Sequence, residues 1–149
     1  MLTKEDLIRG LNEDLEVELS TIINLLDQED ELEELMSSEL RDLFTREIED
    51  ELGYTAFLND TIVDLGGEPS TTPNVSNQLT DLEEVLLLDL KMEWKGVGDF
   101  MKHAKLAEEL GEGEFKRKLS EIAEVKAGHT HELRRMLRRL QRESTKDLG

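Results

Sequence analysis

The chain has no cysteine, only two prolines and few aromatic residues. Phe, Trp and Tyr together make up 4% of the sequence. The absence of cysteine excludes disulfides and thiolate metal sites and is compatible with a cytoplasmic protein. No apolar run reaches 18 residues, and the first residues, Met-Leu-Thr-Lys-Glu-Asp, lack the apolar stretch of a secretory signal. We therefore expect no membrane span and a cytoplasmic location.

Positive charge is also scarce, since 18 basic residues face 36 acidic ones and the formal net charge is -18. A surface this acidic repels nucleic acid phosphates and anionic membranes, so neither is an expected partner, whereas metal ions are attracted. Solubility alone would account for most of this charge.

The distribution of glycine, proline and capping residues predicts an all-α protein with four long helices. The first helix begins after Thr3 and ends near residue 29, and the second spans Ser37 to Leu65, before Gly66-Gly67. The third begins at Thr80-Asp81 and ends near Gly111, and the fourth runs from Glu114 to Arg142. Residues 1–142 then form one bundle domain, and 143–149 a polar C-terminal tail.

The connection Glu68–Thr80 is the only long one. A helix of about 28 residues is roughly 42 Å long, and about 15 extended residues reach roughly 50 Å. The connection can therefore span the whole bundle, whereas the two short joints can only produce antiparallel neighbours. These lengths predict two helical hairpins joined by one crossover, an antiparallel four-helix bundle with the ferritin-like topology.

Each helix carries one polar residue in the middle of its apolar face: Glu18, Glu51, Glu93 and His129. On the fourth helix, the helical spacing predicts that Val125 belongs to the apolar face around His129. A carboxylate on a core face costs several kcal/mol unless it is paired, protonated or bound to a cation. One polar residue from each of four helices is how a bundle forms an internal metal site.

The sequence resembles a bacterioferritin-type member of the ferritin superfamily along nearly its whole length. The residues that carry the resemblance are Leu11-Asn12, Glu18-Leu19, Ile22, Asp50-Glu51, Leu65, Gly67, Pro69, Asp89-Leu90, Glu93, Gly96 and Gly128-His129. The resemblance implies a ferritin-like bundle that oxidises Fe²⁺ at an internal di-iron site, in many members within a hollow storage shell.

The chain departs from the family pattern at two ligand positions. The pattern has a Glu-x-x-His pair on both the second and the fourth helix, but this chain has Tyr54 and Lys126 where the second-helix His and the fourth-helix Glu would stand. An ammonium group does not bind a metal unless it loses a proton. Leu52 occupies the position of the haem-ligating Met of bacterioferritins, so we expect no haem.

Two hypotheses follow for the modified site. In the first, one divalent ion, iron or manganese, binds to the half-site of Glu51, Glu93 and His129, and Glu18 belongs to the other half-site. The negative charges of Glu18, Glu51 and Glu93 and the positive charge of the Lys126 ammonium sum to about -2, which one such ion neutralises. In the second, Lys126 replaces the metal and the protein is a structural or interaction module. Lys126 and Tyr54 are the candidate catalytic residues. Tyr54 is included because a tyrosine beside a metal could bind it or be oxidised.

The remaining predictions concern the other histidines, the methionines and assembly. We expect His103 and His131 to be exposed or to lie at an interface, and Met101 to fill the core. The resemblance implies a homodimer through the first two helices. The residues after Leu140 are too few and too polar for the fifth helix of a 24-subunit shell, so we predict a small oligomer.

Overall fold

The computed structural model describes the backbone of residues 1–73, 79 and 81–148, with side chains as far as residue 143. Four helices make up the described part: α1 (Lys4–Leu32), α2 (Ser38–Asp64), α3 (Leu82–Glu109) and α4 (Gly113–Leu148), with a short 3-10 turn at Glu33–Leu35. The prediction of an all-α four-helix bundle is confirmed.

Side-chain caps fix where the helices begin. Thr3 and Asp6 form a reciprocal capping box at the start of α1. Ser37 accepts a hydrogen bond from the backbone of Leu40 at the start of α2, and Asp81 caps α3. Thr80, part of the predicted start of α3, lies outside the described residues. These caps satisfy backbone N–H groups that have no partner within the helix.

Glycine ends α2 because the chain there adopts a left-handed backbone. Gly66 has φ of 91°, and the next amide, that of Gly67, donates to the carbonyl of Ile62. A Cβ on Gly67 would lie 2.6 Å from the Ile8 side chain on α1. Both glycines therefore serve the same purpose, which is to turn the chain tightly against the first helix.

The crossover is attached to α1 at both described ends. Near its start, Asn12 donates to the carbonyl of Glu68 and accepts from the amide of Ser70. Near its end, the side-chain amide of Gln28 donates to the carbonyl of Leu79 and accepts from the amide of the same residue. The described residues of the crossover thus contact α1 near residue 12 at one end and near residue 28 at the other, so that α3 starts at the far end of the bundle.

The fourth helix is longer than predicted and continues to Leu148 rather than ending at Arg142. The polarity of residues 143–149 suggested a tail, but no glycine or proline stands between Glu143 and Leu148 to end the helix. Gly149, the last residue of the predicted tail, lies outside the described part of the chain.

No helix in the described part is long and apolar enough to cross a membrane.

The bundle interior consists of two apolar clusters with a polar layer between them. One cluster contains Leu7, Leu58 and Phe100, and the other contains Ile22, Phe44 and Leu133. Most buried charged side chains lie between these two clusters. The two apolar ends hold the helices together and fix the positions of the polar side chains in the middle.

Candidate metal centre

Five carboxyl groups, one lysine and one histidine are buried in the layer between the apolar clusters. Helix α1 contributes only one of them, whereas each of the other helices contributes two residues three or four positions apart, which places both on one helix face. The group consists of Glu18 from α1, Glu47 and Glu51 from α2, Asp89 and Glu93 from α3, and Lys126 and His129 from α4, all less than 9% exposed. We call these seven residues the polar layer.

The Lys126 ammonium lies among three carboxyl groups. Its Nζ is 2.6 Å from Glu18, 3.3 Å from Glu93 and 3.9 Å from Glu51. The stem reaches this position because Gly96 has no side chain, and a Cβ there would lie 3.0 Å from the Cδ of Lys126. Lys126 therefore places one fixed positive charge at the centre of the bundle.

These contacts set the protonation of the Lys126 side of the layer. Burial alone would lower the pKa of Lys126, but the surrounding carboxylates raise it above its ordinary value, so the ammonium is retained. For Glu93, burial is outweighed by the charge of Lys126 and by hydrogen bonds from Glu51 and His129, and its pKa falls to about 2. Burial raises the pKa of Glu18 to about 7 despite Lys126, and it raises that of Glu51 well above its ordinary range.

Both nitrogens of His129 meet carboxylates. Nδ1 is 3.3 Å from Glu93, inside the layer, and Nε2 is 3.0 Å from Asp50, which is 43% exposed at the surface. Burial lowers the pKa of His129, but the two carboxylates raise it above its ordinary value. His129 thus connects the buried layer to a surface carboxylate.

The opposite side of the layer contains Glu47 and Asp89, which have no neighbouring cation as close as Lys126 is to Glu18. No N–H or hydroxyl group of the described residues donates to a carboxyl oxygen of either side chain. They are hydrogen-bonded to each other, which requires a shared proton. Burial raises the pKa of Asp89 to about 7 and that of Glu47 well above its ordinary range.

One arrangement in the described part of the chain could bind a metal ion with three residues. Glu47, Glu93 and His129 each offer a ligand atom, and these atoms lie within 4.8 Å of one another. Two carboxylate oxygens and one imidazole nitrogen suit a divalent ion such as Fe²⁺, Mn²⁺ or Zn²⁺. The Lys126 ammonium lies among Glu18, Glu51 and Glu93, the carboxylates that the family resemblance implies as metal ligands.

The structure brings the predicted site residues Glu18, Glu51, Glu93, Lys126 and His129 together. Tyr54 lies beside them, with its ring centre 5.4 Å from Lys126 Nζ. Its hydroxyl is buried and has no hydrogen-bond partner in the described part of the chain. Burial raises the pKa of Tyr54 above its ordinary value, so at neutral pH it is an uncharged phenol rather than a phenolate.

Sequence reasoning missed Glu47 and Asp89 in the buried layer, and Asp50 beside it. Their signal was spacing, because Glu47 and Asp89 each stand four residues before a predicted site residue. In a chain with 36 acidic residues, however, this spacing also describes a solvated helix face.

Three other expectations were wrong. His103 is buried rather than exposed, with Nδ1 2.6 Å from the buried carboxylate of Asp14. Its imidazole fits there because Gly10 on α1 has no Cβ. Val125 is 42% exposed and Met101 is 60% exposed, because both lie on outer rather than core-facing positions of their helices.

The chain matches the family model described as the ferritin-like domain over residues 8–143. It is also similar to a solved ferritin-like di-iron-carboxylate protein from Bacillus anthracis, with 32% identity and a TM-score of 0.82. That match covers 92% of this chain and 99% of the other. The sequence matches no curated protein.

Two bacterioferritins have the same fold at lower identity. The Mycobacterium tuberculosis protein is 21% identical, with a TM-score of 0.85 and coverage of 98% of this chain and 92% of that one. The Rhodobacter capsulatus protein, described with a metal-free dinuclear site and haem iron, is 20% identical, with a TM-score of 0.84. That alignment covers 95% of this chain and 89% of the other.

Proposed function

Because the chain belongs to the ferritin-like domain family, we propose that it binds one divalent metal ion, iron or manganese, inside its bundle. The observation that carries the proposal is the division of the polar layer. Lys126 contacts Glu18 and one oxygen of Glu93. The other oxygen of Glu93, His129 and a carboxyl group of α2 can still offer ligand atoms to a cation. Two metal ions are not proposed, since the ammonium already lies where family resemblance would put one of them.

Bound Fe²⁺ would supply an electron to an oxidant such as oxygen. The residues of this chain have three tasks in that setting. Glu93 and His129 provide donors to the ion, Lys126 holds Glu18 and Glu93 in place, and the apolar clusters on both sides exclude water. Tyr54 is the nearest oxidisable side chain on the Lys126 side.

A metal-free role is the second candidate, and it also has an observation in its favour. Lys126 and His129 together already contact Glu18, Glu51, Glu93 and Asp50, so much of the layer is neutralised without any ion. In that case the protein is a structural or interaction module with a ferritin fold.

The two candidates differ in metal stoichiometry. Protein purified with a chelator should bind close to one Mn²⁺, or one Fe²⁺ without oxygen, per 17.1 kDa chain in a calorimetric titration. His129→Ala should abolish this binding, and His131→Ala, an exposed histidine on the same helix, should not change it. Wild-type protein that binds no ion would establish the metal-free alternative, and binding of two ions per chain would contradict the role given to Lys126.

We propose a cytoplasmic homodimer without haem as the setting for this site. Leu26, Leu52 and Val63 are apolar side chains of α1 and α2 that are at least 50% exposed, which supports packing of these helices against a second copy. Leu52 has no sulfur to bind haem iron. Light scattering should therefore give a mass near twice 17.1 kDa, and a mass near 24 times that value would contradict a small oligomer.

A further inference from the structure

We infer that the metal ligand from α2 lies one helical turn away from the position that the family resemblance implies, so that Glu47 rather than Glu51 binds the ion. The ligand set is then Glu47, Glu93 and His129. This inference rests on the proposed function, because it states where the proposed ion lies.

The first argument is the position of Glu51 relative to Lys126. Glu51 lies 3.9 Å from the ammonium and is hydrogen-bonded to Glu93 on the same side of the layer. An ion bound beside Glu51 would therefore approach a fixed positive charge within the low-dielectric interior, where like charges repel strongly. One turn earlier on α2, Glu47 is separated from that charge.

The second argument is that Glu47 is buried without a nearby cation, since no ion pair of the described residues includes it, whereas Glu51 has Lys126 at 3.9 Å. Its side chain is fully buried at 0% exposure, and none of the N–H or hydroxyl groups in the described part of the chain donates to it. Burying a carboxyl group without donors costs stability, and an apolar residue of similar size would not incur this cost. A cation beside Glu47 would take the place of the proton that this carboxyl group otherwise shares with Asp89.

The third argument is the orientation of His129. Asp50 accepts a hydrogen bond from Nε2, which leaves Nδ1 directed towards Glu93, at 3.3 Å. A carboxylate that accepts from one ring nitrogen fixes the tautomer in which the other nitrogen can bind a metal. Asp50 is therefore a positioning residue for the ion, although it lies at the surface.

Matched substitutions along α2 test the inference. Dissociation constants for Mn²⁺ would be measured for the wild type and for Glu47→Gln, Glu51→Gln and Glu49→Gln, the last being an exposed control. Glu47→Gln should weaken binding by more than about 100-fold, because even the loss of an outer partner of a metal ligand costs roughly 10- to 100-fold. Glu51→Gln should weaken binding less than Glu47→Gln does, because Glu51 would contact the ligand Glu93 and not the ion. The exposed control Glu49→Gln should change it by less than about threefold.

A second readout applies if Glu47→Gln alters the fold. Circular dichroism would measure the helix content of each variant. The rise in melting temperature that saturating Mn²⁺ produces would be measured as well, since an ion that binds only the folded state stabilises it. Glu47→Asp, which keeps a carboxylate, should recover part of this rise. Asp50→Asn should weaken Mn²⁺ binding by about 10-fold or more without changing the stoichiometry.

The outcomes separate the inference from the proposed function. Loss of Mn²⁺ binding in Glu47→Gln with retention in Glu51→Gln supports both. Wild-type protein that binds one ion, with binding lost in Glu51→Gln but kept in Glu47→Gln, overturns the inference alone. A wild type that binds no ion overturns both.

Discussion

The two sides of the polar layer solve the same electrostatic problem in different ways. On one side, Lys126 lies 2.6 Å from Glu18 and supplies a cation that is part of the chain. On the other side, Glu47 and Asp89 are equally buried but rely on a shared proton. Buried carboxyl groups need a partner in either case, but only the proton can be exchanged for a metal ion.

This difference shows how one substitution can change the metal content of a bundle. Four helices with inward-facing carboxylates attract about two divalent ions in the family pattern. In the function proposed above, Lys126 takes the place of one of them, because its pKa stays high among the surrounding carboxylates despite burial. The carboxyl groups farther from Lys126 keep their need for a cation.

The largest effect should come from removing the internal cation. Lys126→Met keeps an unbranched side chain that ends before the ammonium, and it leaves Glu18 and Glu93 without their buried partner. Breaking a buried ion pair costs about 3–5 kcal/mol. Urea unfolding in the presence of a chelator would measure the loss. Added Mn²⁺ should restore part of it, because a metal ion can then take the place of the ammonium.

Lys95→Met is the matched control for this measurement. Lys95 pairs with Asp99 on the surface and is 63% exposed, so its loss should cost no more than about 1 kcal/mol. Equal stabilities of the two variants would mean that Lys126 does not stabilise the layer.

Restoring the family residues should remove the difference between the two sides. The double variant Lys126→Glu, Tyr54→His returns a carboxylate and an imidazole to the side that Lys126 now occupies. We expect two ions per chain instead of one, and faster oxidation of Fe²⁺ in air, measured by absorbance. A folded double variant with unchanged stoichiometry would count against the resemblance as a guide to this site.

The smallest effect is a dependence of stability on pH in the absence of metal. Glu18 and Asp89 have folded pKa values near 7, above their ordinary 4.5 and 3.8, so the folded state holds these protons more tightly than the unfolded state. Their contribution should therefore decrease as pH rises from about 4 through 7. Glu93, with a pKa near 2, has the opposite sign, and its contribution is lost as pH falls from 4.5 through 2.

Chemical denaturation between pH 3 and 8 would check these signs. The variant Glu18→Gln, Asp89→Asn should flatten the decrease between pH 5 and 7, whereas Glu49→Gln, an exposed acid, should not. A wild type whose stability rises over that interval would contradict the protonation assigned to the layer.

Most of the fold could be predicted from the sequence because its signals are local. Thr3, Asp81 and Gly66 mark helix ends through their own backbone and side-chain chemistry. The length of the crossover fixed the connectivity, since only a segment that long can span a bundle. The inner-face position of His129 followed from helical periodicity, and that of Lys126 from its place three residues earlier in the Glu-x-x-His pattern of the family.

What the tertiary structure decided is which carboxyl group meets which cation. In α2, Glu47 and Glu51 lie on the same face and differ by about 6 Å along the helix axis. The sequence of α2 does not specify its position along the neighbouring helices, and this position decides which of the two meets the ammonium. Packing of Lys126 against Gly96 on α3 sets that choice by placing the ammonium near Glu51. The burial of His103 against Gly10 and Asp14 likewise depends on how closely α1 and α3 approach, a distance between helices that no single helix encodes.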